Sequence, residues 1–344
     1  METRKEISRY ASSNSFLGFK SYFNEAFDSE KFDYVLVIKG GPGCGKSSAM
    51  KRIVEALLPI AKTVEALHCS SDIGSLDGVI ADGKQKIGIL DGTAPHERDA
   101  VIPGATDYIW NFADFLDGSK VKRNKSEIVY LNQRKRSEYL KAYTELRFSY
   151  EYWVNIKAEY TKCLKNEQVN DAVVTVAKAF GAFDSVYEKR LLSSFSKDGY
   201  TFIPNANHGG KQYSISGDKI RAAILSSEIV QRSKCAKTAF ISALDPCIFE
   251  GFSDINGNAL SIHSEDEPIL NADDFFALAP SSESDIEYLT RNTSLHLSNA
   301  QEHLRKASEY HAALESIYTP CMDFDALGEN VEKTVEKIKN ILLY

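Results

Sequence analysis

The sequence predicts an α/β protein of two repeated three-layer domains with parallel sheets, each domain being followed by a long helix. A β-branched apolar run at residues 34–38 passes through a glycine-rich loop into an amphipathic helix. Two further strand-like runs follow before residue 92, as in a parallel sheet that is buried on both faces. A weaker copy of this order recurs at an offset of 173 residues, so we expect domains at 1–180 and 181–344.

The glycine-rich loop has the spacing of a phosphate-binding loop. Residues 40–47 match G-x-x-x-x-G-K-[ST] at every fixed position. Glycines let backbone amides converge on an anion, and the next helix adds partial positive charge at its N-terminus. We expect Lys46 to reach the β- and γ-phosphates and Ser47 to bind Mg²⁺. The expected nucleotide-binding residues are Gly40, Gly41, Pro42, Gly43, Cys44, Gly45, Lys46, Ser47 and Ser48.

The residues after the loop favour a P-loop NTPase-type domain over a simple glycine turn. Apolar side chains at helical spacing from Met50 to Leu58 predict an amphipathic helix, which Pro59 ends. Cys44 stands at a variable position of the motif. A lowered thiol pKa at the helix N-terminus would allow redox gating, and the simpler interpretation is a small residue that the motif tolerates.

Two more strands complete the predicted active edge. Residues 62–68 form the first, and the polar stretch "CSSDIGSLDG" follows it at the sheet edge where ligands bind. Residues 86–90 form the second and end in Asp91, which is the Walker B pattern for a magnesium carboxylate.

Gly92 stands where many motor ATPases have a catalytic glutamate, so a base for water must come from elsewhere. Asp72, Asp77, His96 and Glu97 are the choices, although His96 is equally well explained as a loop residue bonded to backbone. The predicted catalytic residues are Lys46, Asp91, Asp72 and His96, and the predicted metal ligands are Ser47 and Asp91.

The segments "KGGPGCGKSS", "HCSSDIGSLDG", "ILDGTAPH" and "PGATDYIWNFADF" together resemble a bacterial family of tandem P-loop ATPases. Their order and spacing fit from the first residue to about residue 165, and the end of the chain fits more weakly. The resemblance implies ATP and Mg²⁺ as cofactors, and hydrolysis on a pair of related α/β domains. Members commonly keep a P-loop in the second half as well.

The second half of this chain departs from that pattern. At the offset of 173 residues, Asp77 aligns with Glu250 and Asp91 aligns with Ser264. The stretch that aligns with the P-loop is "QYSISGDKI", which has a single glycine, Gly217, and no Lys-Ser after it. The second domain is therefore predicted to keep the fold and to lack a phosphate site.

Long helices are predicted at the end of each half. Residues 139–164 and 293–318 carry apolar and aromatic side chains at 3–4 spacing, and a last amphipathic helix covers 327–342. The two long helices could form an arm that pairs the halves or reaches a partner, or each could pack on its own domain.

Composition excludes several classes of protein. Charged residues make up 26% and hydrophobic ones 43%, as in a globular chain, and the net charge of −7 disfavours nucleic acid as a partner. A basic run at 120–136 is interpreted as a solvated helix start, with a phosphate-binding patch as the alternative. The six cysteines include no C-x-x-C pair, and no apolar run approaches 18 residues, so we predict a cytoplasmic protein without a membrane span.

Three functions remain open at this point. The favoured one is Mg-dependent ATP hydrolysis that switches the relation between the halves, and ATP is preferred to GTP because no N-K-x-D motif occurs. A nucleotide or small-molecule kinase is the second, since "ILDG" is similar to the Walker B strand of adenylate-type kinases. The third is a nonenzymatic switch, in which ATP gates an unidentified protein partner.

Overall fold

The structure is a computed structural model that describes residues 5–182, 186–203 and 209–344. Its contacts divide these residues into two compact units. Unit 1 contains the described residues through Arg9, Phe23–Leu140 and His303–Tyr344. Unit 2 contains Tyr10–Tyr22 and the described residues of Lys141–Glu302.

Eight strands occur in the first part of the chain. They are β1 (Lys5–Tyr10), β2 (Ser12–Ser15), β3 (Gly18–Ser21), β4 (Tyr34–Lys39), β5 (Thr63–Cys69), β6 (Asp72–Asp82), β7 (Lys86–Asp91) and β8 (Asp107–Asn111). Six of them form one sheet in the order β1-β5-β6-β7-β4-β8. The strands predicted at 34–38, 62–68 and 86–90 correspond to β4, β5 and β7.

The prediction of parallel sheets is wrong for β6. Strands β7 and β8 run parallel to β4, whereas β6 is antiparallel to both of its neighbours, β5 and β7. The sheet is therefore mixed. The physical reason is connection length: only residues 83–85 join β6 to β7, and a parallel crossover needs about a dozen residues or more.

Eight helices occur among the described residues. They are α1 (Phe23–Ala26), α2 (Lys46–Leu57), α3 (Gly118–Arg123), α4 (Lys125–Lys162), α5 (Asn166–Ala179), α6 (Lys219–Ser233), α7 (Pro280–Tyr318) and α8 (Phe324–Leu343). The predicted long helices lie within α4 and α7, and the predicted last helix lies within α8. None of these helices combines the length and the apolar character needed to cross a bilayer.

The core of unit 1 lies between its sheet and the helices α2 and α8. Side chains of β4 and β7 pack there with the apolar face of α2, which includes the fully buried Ile53 and Leu57. The apolar stripe of α8 packs in the same core and consists of Leu327, Val331, Val335, Ile338 and Leu342. In sequence α8 falls in the second predicted domain, but its amphipathic side finds its apolar partner in unit 1.

Unit 2 repeats the sheet of unit 1. Its strands are β9 (Glu188–Arg190), β10 (Ser193–Ser196), β11 (Gly199–Phe202), β12 (Gln212–Ser216), β13 (Thr238–Ile241), β14 (Phe249–Ser253), β15 (Ala259–Ser261) and β16 (Pro268–Asn271). Six of them form a mixed sheet in the order β16-β12-β15-β14-β13-β9. Read from β9, this order matches that of the first sheet strand for strand. The internal repeat predicted from the sequence is therefore supported by two sheets of similar topology.

The long helices α4 and α7 pack against each other. In unit 1, Ile128 and Leu131 of α4 form an apolar cluster with Leu314 of α7. In unit 2, the Ser149 hydroxyl donates to the Thr293 carbonyl oxygen at 3.0 Å. The two helices thus pack together in each unit.

Candidate functional site

The loop between β4 and α2 has the backbone geometry of an anion cradle. Gly43 and Gly45 have positive φ angles of 68° and 85°, which favour glycine. Gly45 is also the N-cap of α2, and no side chain there accepts a hydrogen bond from the first amides of the helix. These amides and the positive end of the helix dipole are therefore available to a phosphate.

The Lys46 and Asp91 side chains lie together at this loop. The Lys46 ammonium donates to the Gly40 and Gly41 carbonyl oxygens, at 2.9 Å each, and lies 3.5 Å from a carboxylate oxygen of Asp91. Each of the two charged side chains is 13% exposed. The expected P-loop lysine and Walker B aspartate thus meet at the carboxyl ends of neighbouring strands.

Ser47 and Asp91 fit the chemistry of a magnesium site. The Ser47 hydroxyl oxygen accepts a hydrogen bond from the Leu76 amide at 2.9 Å, which fixes it beside β6. One Asp91 oxygen accepts from the Thr93 amide and hydroxyl, which orients the carboxylate. The described residues contain no group of three His, Cys, Asp or Glu that could hold a metal. Mg²⁺ held here would accordingly depend on phosphate oxygens, as it usually does.

The end of α7 covers one side of the loop. The Tyr318 ring lies 3.3 Å from the position of a Cβ on Gly41, and the Thr319 hydroxyl donates to the Gly43 carbonyl oxygen at 3.3 Å. Cys44 is buried beneath the loop, and burial raises the pKa of its thiol. That shift is opposite to the one redox gating requires, so the simpler interpretation of Cys44 is favoured. Pro42 is half-buried, and Ser48 is exposed.

Asp77 of β6 and His96, in the loop that follows β7, form a buried pair. The His96 Nε2 atom lies 3.0 Å from a carboxylate oxygen of Asp77, and the His96 ring packs on Phe23 with centroids 4.3 Å apart. Asp77 directly follows Leu76, whose amide contacts Ser47. Lys39 holds the loop that carries His96 by donating to the Gly92 and Arg98 carbonyl oxygens. The pair is therefore held between β6 and the loop that follows β7.

Asp72 lies in a different environment. Its side chain is exposed and accepts from the Gly74 amide at 3.0 Å and from the Ser75 hydroxyl at 2.8 Å, which makes it part of a local turn. Glu97 is also exposed. Among the described residues, neither side chain forms a hydrogen bond or an ion pair with the loop between β4 and α2. Asp77 and His96 are thus the better-placed of the four acid–base choices.

Lys135 and His311, which were not predicted as site residues, interact electrostatically with Lys46. Lys135 of α4 is half-buried, and partial burial together with the positive charge of Lys46 lowers its pKa. Partial burial, and then the charges of Lys135 and Lys46, lower the pKa of His311 on α7. A sequence signal existed for Lys135: it follows Leu131 and precedes Glu138 at the spacing of the buried stripe of α4.

The corresponding position in unit 2 has no room for a triphosphate. Only Gly217 and Asp218 separate β12 from α6, whereas six residues separate β4 from α2. The Asp218 carboxylate accepts from the Ile220 and Arg221 amides at 3.1 and 3.0 Å, so it takes the place a phosphate would need. The Lys219 ammonium donates to the Ile262 carbonyl oxygen instead of facing a loop.

A carboxylate–histidine pair recurs in unit 2. Glu250, which aligns with Asp77, has a carboxylate oxygen 2.9 Å from His263 Nε2 and also accepts from Ser193 and Tyr200. Because this pair occurs where the phosphate loop is absent, the Asp77–His96 pair is not by itself the mark of a catalytic base. What distinguishes it is its place in the sheet, because Asp77 precedes Gly78, whose partner Leu90 on β7 precedes Asp91.

Comparisons of the chain with protein-family models, curated proteins and solved structures found no match. The resemblance to tandem P-loop ATPases therefore stays a prediction that rests on the quoted segments. The cytoplasmic location and the absence of nucleic-acid and membrane partners likewise stay predictions.

Proposed function

We propose that unit 1 binds ATP with Mg²⁺ and hydrolyses it. One observation carries the proposal: Lys46 and Asp91 meet, 3.5 Å apart, at an uncapped helix N-terminus behind a loop with two left-handed glycines. A simple strand-to-helix turn needs none of these features. A triphosphate with Mg²⁺ uses all of them.

Each residue has a separate role in this proposal. The α2 amides and the Lys46 ammonium hold the β- and γ-phosphates, and Lys46 gives up its hydrogen bonds to Gly40 and Gly41 to do so. Ser47 and Asp91 hold Mg²⁺, which neutralises charge on the phosphates when bound. Lys135 and His311 add polar groups on the side of α4 and α7, where the end of a triphosphate can meet them.

The Asp77–His96 pair is proposed to orient the attacking water. Asp77 precedes Gly78, whose partner Leu90 on β7 precedes the proposed magnesium ligand Asp91, and both members of the pair are buried and hydrogen-bonded to each other. A general base in this role accepts a proton from the water and holds that water within reach of the γ-phosphate. Replacing Gly92 by an acid would not supply that group, because a Cβ there would lie 2.3 Å from a Val37 methyl group.

Phosphate release from ATP by the full chain tests the proposal. We expect release that requires Mg²⁺, that Lys46→Ala removes and that Lys219→Ala preserves, since Lys219 is the matched lysine of unit 2. His96→Gln should keep ATP binding and lower the turnover. Equal release from the wild type and Lys46→Ala would refute hydrolysis at this site. ATP binding without phosphate release would favour the nonenzymatic switch over hydrolysis. Transfer of phosphate to a metabolite instead of water would favour the kinase.

A further inference from the structure

The order of the strands sets the direction in which a bound nucleotide extends. The magnesium ligand Asp91 ends β7, on one side of β4, and β8 lies on the other side. A Mg²⁺ ion held by Asp91 would neutralise charge on the terminal phosphates, which would therefore lie on the β7 side. The nucleoside must then leave the loop toward the residues that follow β8.

A cleft lies on that side of unit 1. Its volume is about 540 Å³, within the range of small-molecule sites. Asp117 and Lys120, which follow β8, form one wall, and residues 321–325 form the other. The cleft adjoins the phosphate loop, because a Phe324 ring carbon lies 3.4 Å from the position of a Cβ on Gly45.

Backbone hydrogen bonds hold the two walls of the cleft together. The Asp117 amide donates to the Cys321 carbonyl oxygen at 2.8 Å, and the Asp323 amide donates to the Phe115 carbonyl oxygen at 2.9 Å. Between them, Leu116 and Met322 form an antiparallel bridge. The site is thus formed in advance, which lowers the entropy lost when a ligand is ordered in it.

Phe324 is the residue that points to the kind of ligand. It stands one turn before Leu327 on the apolar stripe of α8, and 44% of it is exposed while Leu327 is buried. An exposed ring beside a phosphate loop offers a stacking surface for a base. One oxygen of Asp323 caps α8 by accepting from the Ala326 amide, and its other oxygen and the Asp325 carboxylate remain as acceptors that suit a base with amino donors.

We propose that this cleft binds the nucleobase of the triphosphate, with the base stacked on Phe324 and its amino group directed at the carboxylates. For ATP the base is adenine. The inference rests on the proposed function, because it uses the phosphate loop to place the nucleotide. The cleft would give the site its preference for a nucleotide over a polyphosphate, which has no base.

Calorimetry on the full chain, with Mg-ATP and with Mg-tripolyphosphate, tests the inference. Phe324→Leu keeps an apolar contact with Gly45 and removes the aromatic face. We expect it to weaken ATP binding by roughly 5- to 150-fold, the usual range for loss of one base stack, and to leave tripolyphosphate binding within about twofold. Phe324→Tyr should bind ATP nearly as the wild type does. Tyr288→Ala, which removes an exposed ring elsewhere, is the control and should change neither affinity.

The outcomes separate this inference from the proposed function. If Phe324→Leu leaves ATP affinity unchanged, or weakens ATP and tripolyphosphate equally, the base does not stack on Phe324, although phosphate binding at the loop stands. If the wild type binds neither ligand, the proposed function fails and the inference fails with it. Thermal unfolding of each variant checks that the fold is retained.

Discussion

The two units should differ in one measurable respect: all ATP should bind in unit 1, as one molecule per chain. Lys46 and Lys219 each stand at the start of the helix that follows a corresponding strand of their unit, β4 or β12. Only Lys46 faces a glycine loop, whereas Lys219 bonds to the Ile262 carbonyl oxygen beside the capping carboxylate of Asp218. Lys46→Ala and Lys219→Ala are therefore a matched pair of substitutions.

The size of the effect follows from the contacts of Lys46. A lysine about 4 Å from a phosphate charge gains about 4 kcal/mol at an effective dielectric of 20. Binding also breaks the two hydrogen bonds to Gly40 and Gly41, at about 1 kcal/mol each. The net loss in Lys46→Ala is then about 2 kcal/mol, or roughly 30-fold in the dissociation constant. Lys219→Ala should stay within about threefold of the wild type.

Isothermal titration with Mg-ATP gives both the affinity and the number of sites. A slowly hydrolysed ATP analogue, titrated in parallel, keeps heat from turnover out of the binding signal. Two sites per chain, or equal losses from the two substitutions, would contradict the assignment of unit 2 as a unit without a phosphate site. A loss below about threefold in Lys46→Ala would contradict the role given to the loop.

Three further predictions concern other residues. Asp91→Asn should abolish Mg²⁺-dependent phosphate release while Mg²⁺-free ATP binding remains, and a magnesium titration of both activities checks this. Lys135→Met should weaken ATP binding more than ADP binding, by several-fold in competition titrations, whereas Lys125→Met on the exposed start of the same helix should weaken neither. Burial raises the pKa of Glu250, but its contacts with His263 and two hydroxyls outweigh burial and hold the pKa below its ordinary value of 4.5. Stability from Glu250 is then present above pH 4.5 and is lost as the pH falls further, so Glu250→Gln should cost about 3 kcal/mol in urea unfolding at pH 7 and less at pH 4.

Neither the position nor the direction of β6 was predicted from the sequence. A strand that is buried on both faces forms a continuous apolar run whether it is parallel or antiparallel, so β6 and β7 look alike in composition. The direction of β6 follows from the length of the connection between β6 and β7, because a turn as short as residues 83–85 permits only an antiparallel pair. The P-loop and Asp91 were easier, since both are set by residues adjacent in sequence to β4 and β7.

The rest of the site depends on contacts that are distant in sequence. Lys135 and His311 come near Lys46 because α4 and α7 pack together, and no local pattern encodes that pairing. Asp72 is the opposite case, because its contacts are local in sequence. It follows β5 at the expected edge, but its short side chain is satisfied locally by Gly74 and Ser75.

The packing of α8 in unit 1 has a consequence for biosynthesis. The ribosome delivers β4, α2 and Asp91 early, yet the stripe from Leu327 to Leu342 that covers this core emerges only after all of unit 2 has been translated. Tyr318 and Thr319, which contact the phosphate loop, emerge equally late. A nascent chain that stops within α7 therefore exposes the apolar face of α2 as a target for chaperones. It also has one wall of its phosphate loop missing, so the structure ties the completion of this site to the completion of the protein.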